Sequence, residues 1–148
     1  MARSPSIVVA ALLASATPAA RAEEPAYKLI VHADNPVSVI RREQAAILFL
    51  SRGAAWAHGP AAEAIDQSMT SKVREAFSRE ILGLELPAVQ NYWRKRLLEA
   101  REMPPKVKET DAEVIAHVAK HSGGIGYVSA AAELPAGVKV LRVADPLR

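Results

Sequence analysis

A polar loop that runs into the start of a predicted helix carries the residue types that hold an anion. It contains three hydroxyls and two cations, on Ser68, Thr70, Ser71, Lys72 and Arg74. The first N–H groups of a helix lack intrahelical partners and lie at the positive end of the helix dipole, so this junction can bind a small anion. We predict that the hydroxyls donate hydrogen bonds to the anion and that the two cations supply counter-charge. The plainer alternative is that Thr70 or Ser71 only caps the helix.

A second candidate site is a pair of histidines on another predicted helix. His117 and His121 are four residues apart and therefore share one helix face, which two metal ligands could use. Glu113 lies one further turn back on that face. Such spacings are common without function, so we interpret the pair as a solvated helix edge and expect no metal site and no cofactor.

No pattern in the chain indicates catalysis. The Gly-x-Ser-x-Gly nucleophile elbow of serine hydrolases does not occur. The glycines of Gly123–Gly126 precede a predicted strand instead of opening a helix, so they are not a dinucleotide motif. The chain has no cysteine and hence no thiol nucleophile or disulfide. We therefore expect a non-enzyme without catalytic residues.

Residues 1–22 predict a signal peptide. Arg3 provides a positive start, residues 7–16 are apolar, and Ala20-Arg21-Ala22 has the small-x-small pattern of a cleavage site. The apolar run is too short for a permanent membrane anchor. We expect a periplasmic protein that has no integral membrane segment after cleavage. A disordered N-terminus or a membrane-anchored start are the alternatives.

Length and charge narrow the partners. The chain has 148 residues, of which half are hydrophobic and about a quarter charged, as in soluble globular domains. We expect residues 23–148 to form one domain. The net charge of +3 falls nearly to neutral without residues 1–22, which hold two arginines and no acid. A nucleic-acid partner is therefore not expected, because it would require a basic stripe.

Strands and helices alternate along the chain and predict an α/β fold with three layers. The predicted strands cover residues 27–32, 63–65, 125–128 and 138–143. The predicted helices cover residues 42–51, 72–82 and 87–102, and a fourth runs to about residue 120. A capping box, Thr110 with Glu113, marks the start of the fourth helix, while Gly53 and Gly83 mark the ends of the first two. Residues 66–71 are predicted as a loop, and Met103-Pro104-Pro105 begins an extended linker.

Several stretches, taken together, resemble the substrate-binding proteins of phosphate ABC transporters. They are Asp34–Ser38, Ala46–Leu50, Trp56, Ser71–Phe77 and Gly123–Val128. In that family the matching motifs read roughly Asn-Pro-Val, Ile-Phe-x-Gly, Trp, Ser-Gly-Thr-Arg-x-x-Phe and Gly-Ala-Ile-Gly-Tyr-Val. The resemblance implies a single lobe of a periplasmic-binding-protein-like fold, with a mixed sheet flanked by helices.

The resemblance also bears on the anion loop. In the family, the Ser-Gly-Thr loop and an arginine hold phosphate at a helix N-terminus. Ser71 and Arg74 match the serine and the arginine, whereas Lys72 and Val73 replace the glycine and the threonine. Glycine permits close backbone approach to an oxyanion, and lysine offers a mobile point charge instead. Asp66 lies near the place of an acidic residue that precedes the family loop.

The family has two lobes that close over the ligand, and this chain matches one of them. An anion held by one lobe remains in contact with solvent, so we expect phosphate affinity of about millimolar or weaker. The resemblance implies a non-catalytic binding protein for phosphate or another small oxyanion. Its partner would be an ABC permease or another envelope protein, and a homo-oligomer is an option. The alternative is a scaffold module that has lost the ligand and docks on another envelope protein or on itself.

Overall fold

The computed structural model describes residues 26–144, which form a six-stranded mixed sheet flanked by helices. The strands are β1 (Tyr27–His32), β2 (Val39–Arg41), β3 (Glu63–Gln67), β4 (Lys106–Lys108), β5 (Gly124–Ser129) and β6 (Val138–Ala144). The helices are α1 (Arg42–Leu50), α2 (Lys72–Phe77), α3 (Leu86–Ala100) and α4 (Asp111–Lys120). A π-helical segment, Ser78–Leu82, continues α2. The predicted signal peptide lies outside the described residues.

The sheet order is β2-β6-β1-β5-β3-β4, and only β1 runs antiparallel to its two neighbours. Successive side chains of β1 point to opposite faces: Leu29 packs in the cluster with α1 and α2, and Ile30 packs in the cluster with α4. In the first cluster the rings of Phe77 and Tyr127 stack with centroids 4.0 Å apart. The three-layer α/β prediction is confirmed.

Local signals placed several elements correctly. Strand β1 covers the predicted residues, and the predicted capping box is present. Thr110 Oγ1 accepts the backbone N–H of Glu113 at 3.2 Å, and the Glu113 carboxylate accepts the backbone N–H of Thr110 at 3.2 Å. Gly83 ends the π-helical segment in the left-handed region, with φ 68°. No helix among residues 26–144 is long and apolar enough to cross a membrane.

Two short strands were not predicted from the sequence. Strands β2 and β4 have three residues each, too few for an alternating pattern to appear, and β4 lies in the predicted linker. Because β4 pairs with Asp66 and Gln67, these two residues belong to β3 rather than to the predicted loop. The loop therefore begins at Ser68, two residues later than predicted.

Helix ends also differ from the predictions. Helix α1 ends at Leu50, and Gly53 lies in the following turn rather than at the helix end. Helix α3 ends at Ala100 instead of residue 102, because Arg101 adopts φ 53°. The predicted helix 72–82 is α-helical only to Phe77, after which its backbone widens into the π-helical segment.

Gly126 permits the close approach of α4 to β5. A Cβ atom at this position would lie 2.6 Å from Cγ1 of the buried Val114. We expect Gly126→Ala to lower the free energy of unfolding by about 1–3 kcal/mol through overpacking, as measured by urea denaturation. Gly137→Ala is the control, since its nearest contact is 3.3 Å from Ala119 Cβ, and it should cost clearly less. Unchanged stability of Gly126→Ala would contradict this packing.

Candidate functional site

The predicted anion-binding residues meet where the chain leaves β3 and begins α2. Ser71 is the N-cap of α2, and its Oγ accepts the backbone N–H of Arg74 at 3.2 Å. The same hydroxyl donates to Gln67 Oε1 at 2.8 Å. Ser71 thus caps the helix, as the plainer alternative states, and its proton is directed at Gln67.

The two other hydroxyls of the loop face each other. The Oγ atoms of Ser68 and Thr70 are 3.1 Å apart, and Thr70 is exposed. The backbone N–H of Ser68 donates to the carbonyl of Lys108, which ties the loop to β4. Only one of the two hydroxyls can donate to the other, so one proton stays available for an external acceptor. Lys72, the first residue of α2, follows Ser71 and is exposed.

Arg74 lies in the protein interior and forms an ion pair with Asp66. Its Nη2 is 3.2 Å from Asp66 Oδ2, and both side chains are only 9% exposed. Its Nη1 donates to the carbonyl of Gln67 at 2.6 Å. The charge of the guanidinium is therefore balanced by Asp66, whose role the sequence left open.

A network of buried hydrogen bonds surrounds this ion pair. The Tyr127 hydroxyl donates to Asp66 Oδ1 and accepts the backbone N–H of Gln67 at 3.0 Å. The Gln67 side-chain amide donates to Asp111 Oδ1 and to the Tyr127 carbonyl, both at 2.9 Å. The network joins β3, β5, α2 and α4. The roles of Gln67, Tyr127 and Asp111 were not predicted from the sequence. The one available signal was the polar pair Asp66-Gln67 directly after the apolar Ile65.

Burial dominates the electrostatics of the network. It raises the pKa of Asp66, and the charge of Arg74, the Tyr127 hydroxyl and the Gln67 N–H oppose this only in part. Burial also raises the pKa of Tyr127, and the neighbouring Asp66 charge raises it further. Tyr127 therefore remains a neutral hydrogen-bond donor throughout the physiological range.

A cavity of about 330 Å³ opens beside the ion pair. Its walls combine the pair with apolar side chains of α3, of β4 and of the segment before β4, among them Val89, Trp93, Pro104 and Val107. Asp66 and Arg74 therefore border a space that is open to solvent, and the hydrogen-bond network fixes their positions.

The two histidines differ in exposure: the His121 side chain is 42% exposed, as expected for a solvated helix edge, whereas His117 is buried. The His117 side chain is only 10% exposed, and its Nε2 is 2.8 Å from Glu63 Oε1. Glu113, the third residue suggested by helical spacing, is occupied in the capping box. The expected solvated edge is therefore wrong for His117, because strand β3 covers that face of α4.

No protein-family model and no curated protein sequence match the chain. Among solved structures it is similar to a putative phosphate ABC transporter substrate-binding protein with bound phosphate from Clostridium perfringens, at 19% identity and a TM-score of 0.60, covering 80% of this chain and 44% of that one. An ABC-type phosphate transport receptor from Vibrio cholerae has 18% identity, a TM-score of 0.61, and coverage of 82% and 48%. PstS from Borrelia burgdorferi has 16% identity, a TM-score of 0.60, and coverage of 83% and 49%.

These similarities confirm the resemblance at the level of the fold. The chain has an α/β lobe like that of phosphate ABC transporter substrate-binding proteins, and it spans less than half the length of each of these structures. At identities of 16–19% the likeness concerns the fold alone.

Removing the buried cation should destabilise the protein strongly. Arg74→Met leaves Asp66 without its partner, and we expect a loss of about 3–5 kcal/mol in the free energy of unfolding. Adding Asp66→Asn should recover part of that loss, since no unpaired charge remains. Arg79→Ala, which breaks exposed pairs on the neighbouring turn, is the control and should cost far less. Equal urea midpoints for Arg74→Met and Arg79→Ala would contradict the presence of a buried Asp66–Arg74 ion pair.

The raised pKa of Asp66 predicts a direction for the pH dependence of stability. A carboxyl with a higher pKa in the folded than in the unfolded state keeps its proton to higher pH when folded. Its contribution to the free energy of unfolding therefore falls as pH rises from about 4 through the raised value. Wild type should therefore lose stability relative to Asp66→Asn over this interval, as measured by urea denaturation at a series of pH values. A relative gain of the wild type with rising pH would refute the prediction.

Proposed function

We propose that this chain is a non-catalytic binding protein for phosphate or a related small oxyanion. The observation that carries the proposal is the gathering of the loop hydroxyls and Lys72 at the start of α2, in a fold shared with phosphate-transport receptors. One of the similar structures is described as having bound phosphate. The proposed site comprises Ser68, Thr70, Ser71, Lys72 and Arg74.

The residues of the proposed site have different roles. Ser68 and Thr70 donate their free hydroxyl proton, and the exposed Lys72 supplies the net positive charge. Ser71 holds the start of α2 in place and would have to release Gln67 to donate to the anion itself. Arg74 offers N–H groups but little net charge, because Asp66 balances it.

The proposed site covers one side of the anion only. Solvent screens its charge interactions, so affinity for phosphate is about millimolar or weaker unless a partner covers the ligand. We propose export by the predicted signal peptide to the periplasm and delivery of the ligand to an ABC permease or another envelope protein.

A scaffold module remains the second candidate function, and one surface supports it. Val39 and Ile47 are large apolar side chains that are 43% and 56% exposed. Together with Trp56 and the small residues Ala54 and Ala55 they line a cavity of about 490 Å³. An apolar surface of this kind is typical of a protein–protein contact.

Calorimetric titration with phosphate, sulfate and a dicarboxylate distinguishes the two candidates. The test variant is Thr70→Val with Lys72→Met, because both residues are exposed and outside the buried network. We expect saturable phosphate binding that weakens by at least about tenfold, or 1.4 kcal/mol, in this double variant. Arg74→Ala is unsuitable, since its effect on binding and on folding would coincide.

Lys95→Met is the matched control for loss of a surface cation, because Lys95 is exposed on α3. It should bind phosphate as the wild type does. Absence of heat and of thermal stabilisation with every anion up to high millimolar concentrations would contradict the binding function. The apolar surface of Val39 and Ile47 would then be the first place to seek a protein partner.

A further inference from the structure

Three side chains that can ligate a metal meet at the amino end of β3, opposite to the proposed anion site. Glu63 is the first residue of β3, His117 lies in the last turn of α4, and His121 caps that helix. Their ligand atoms all lie within 4.8 Å of one another. A Glu63 carboxylate oxygen is 2.8 Å from His117 Nε2, and the other is 4.0 Å from His121 Nε2.

The hydrogen-bond partners of the two imidazole rings set their tautomers. His117 Nε2 donates to the Glu63 carboxylate, which can only accept, so this nitrogen must lose its hydrogen before it can bind a metal. The two rings stack nearly parallel, with centroids 4.0 Å apart and an interplanar angle of 12°. His121 Nδ1 is 2.7 Å from the His117 carbonyl oxygen, which can only accept, so Nδ1 carries the hydrogen. The neutral ring then presents an unprotonated Nε2 to Glu63. A backbone carbonyl that fixes the tautomer in this way is a usual companion of metal-binding histidines.

The distances suit a small metal ion after modest side-chain rotation. Two ligands bound to tetrahedral zinc at 2.0–2.1 Å are about 3.3 Å apart. The observed separations of 2.8 and 4.0 Å lie on either side of this value. His121 and Glu63 are 42% and 36% exposed, so an ion has a path from solvent while His117 provides a buried anchor.

We propose that Glu63, His117 and His121 bind a divalent transition-metal ion, with zinc as the preferred one. Imidazole and carboxylate ligands suit zinc, and three protein ligands leave one position for water or a group of a partner. The ion links β3 to α4, the helix that packs against this strand. This site is separate from the proposed anion site, so either can fail without the other.

One cation competes for the same carboxylate. Lys106 Nζ lies 4.0 Å from Glu63 Oε1 and is largely exposed on the edge strand β4. Binding of the ion displaces this ammonium toward solvent. Removing it with Lys106→Met should therefore leave zinc binding intact or strengthen it, whereas removing a ligand should weaken it.

The test is titration of the purified full chain, without a histidine tag and in phosphate-free buffer, with Zn²⁺ by calorimetry and with Co²⁺ by visible absorption. We expect saturable one-to-one binding and the absorption bands of a tetrahedral cobalt site. His121→Ala and Glu63→Gln should each weaken binding by at least about tenfold. Circular dichroism establishes that both variants are folded.

Two control variants sharpen the assignment. Glu113→Gln removes the carboxylate that helical spacing suggests, and His58→Asn removes an exposed imidazole at φ 61°, where asparagine is tolerated. Both should bind zinc as the wild type does. The proposal is overturned if the wild type shows no saturable binding, or if His121→Ala and Glu63→Gln bind with unchanged affinity.

Discussion

The buried ion pair between Asp66 and Arg74 is the constraint on which the rest of the candidate site depends. Two charges with side chains only 9% exposed are tolerated because each faces the other, the Tyr127 hydroxyl donates to Asp66, and the Gln67 carbonyl accepts from Arg74. The pair fixes the carboxyl end of β3 against the first turns of α2. It thereby determines where the loop hydroxyls stand and which way the helix N-terminus points.

This arrangement changes how the arginine of the family resemblance should be understood. Arg74, which aligns with the phosphate-binding arginine of the family, is neutralised here by Asp66. An anion at the loop would therefore depend on Lys72, the hydroxyls and backbone N–H groups. Such a site favours weak, reversible binding. The opposite end of β3 gathers Glu63 with two histidines, so one strand positions both the proposed anion site and the proposed cation site.

The parts that sequence predicted well are those fixed by local interactions. The capping box of Thr110 and the run of β-forming residues in β1 can each be recognised within a stretch of at most six residues. Strands β2 and β4 were missed because three-residue strands exist only through pairing with distant partners. The proposed metal-binding cluster was not predicted for the same reason: Glu63 and His117 are 54 residues apart, and helical spacing indicated Glu113 instead.

The most direct test of the anion-binding account is the mapping of backbone amide chemical shifts by NMR during a phosphate titration. Phosphate binding at the loop should give saturating shifts concentrated in Ser68–Arg74, with no matching change at Glu63 and His117. Shifts that are absent from this loop, or that scatter over exposed lysines without saturation, would contradict it.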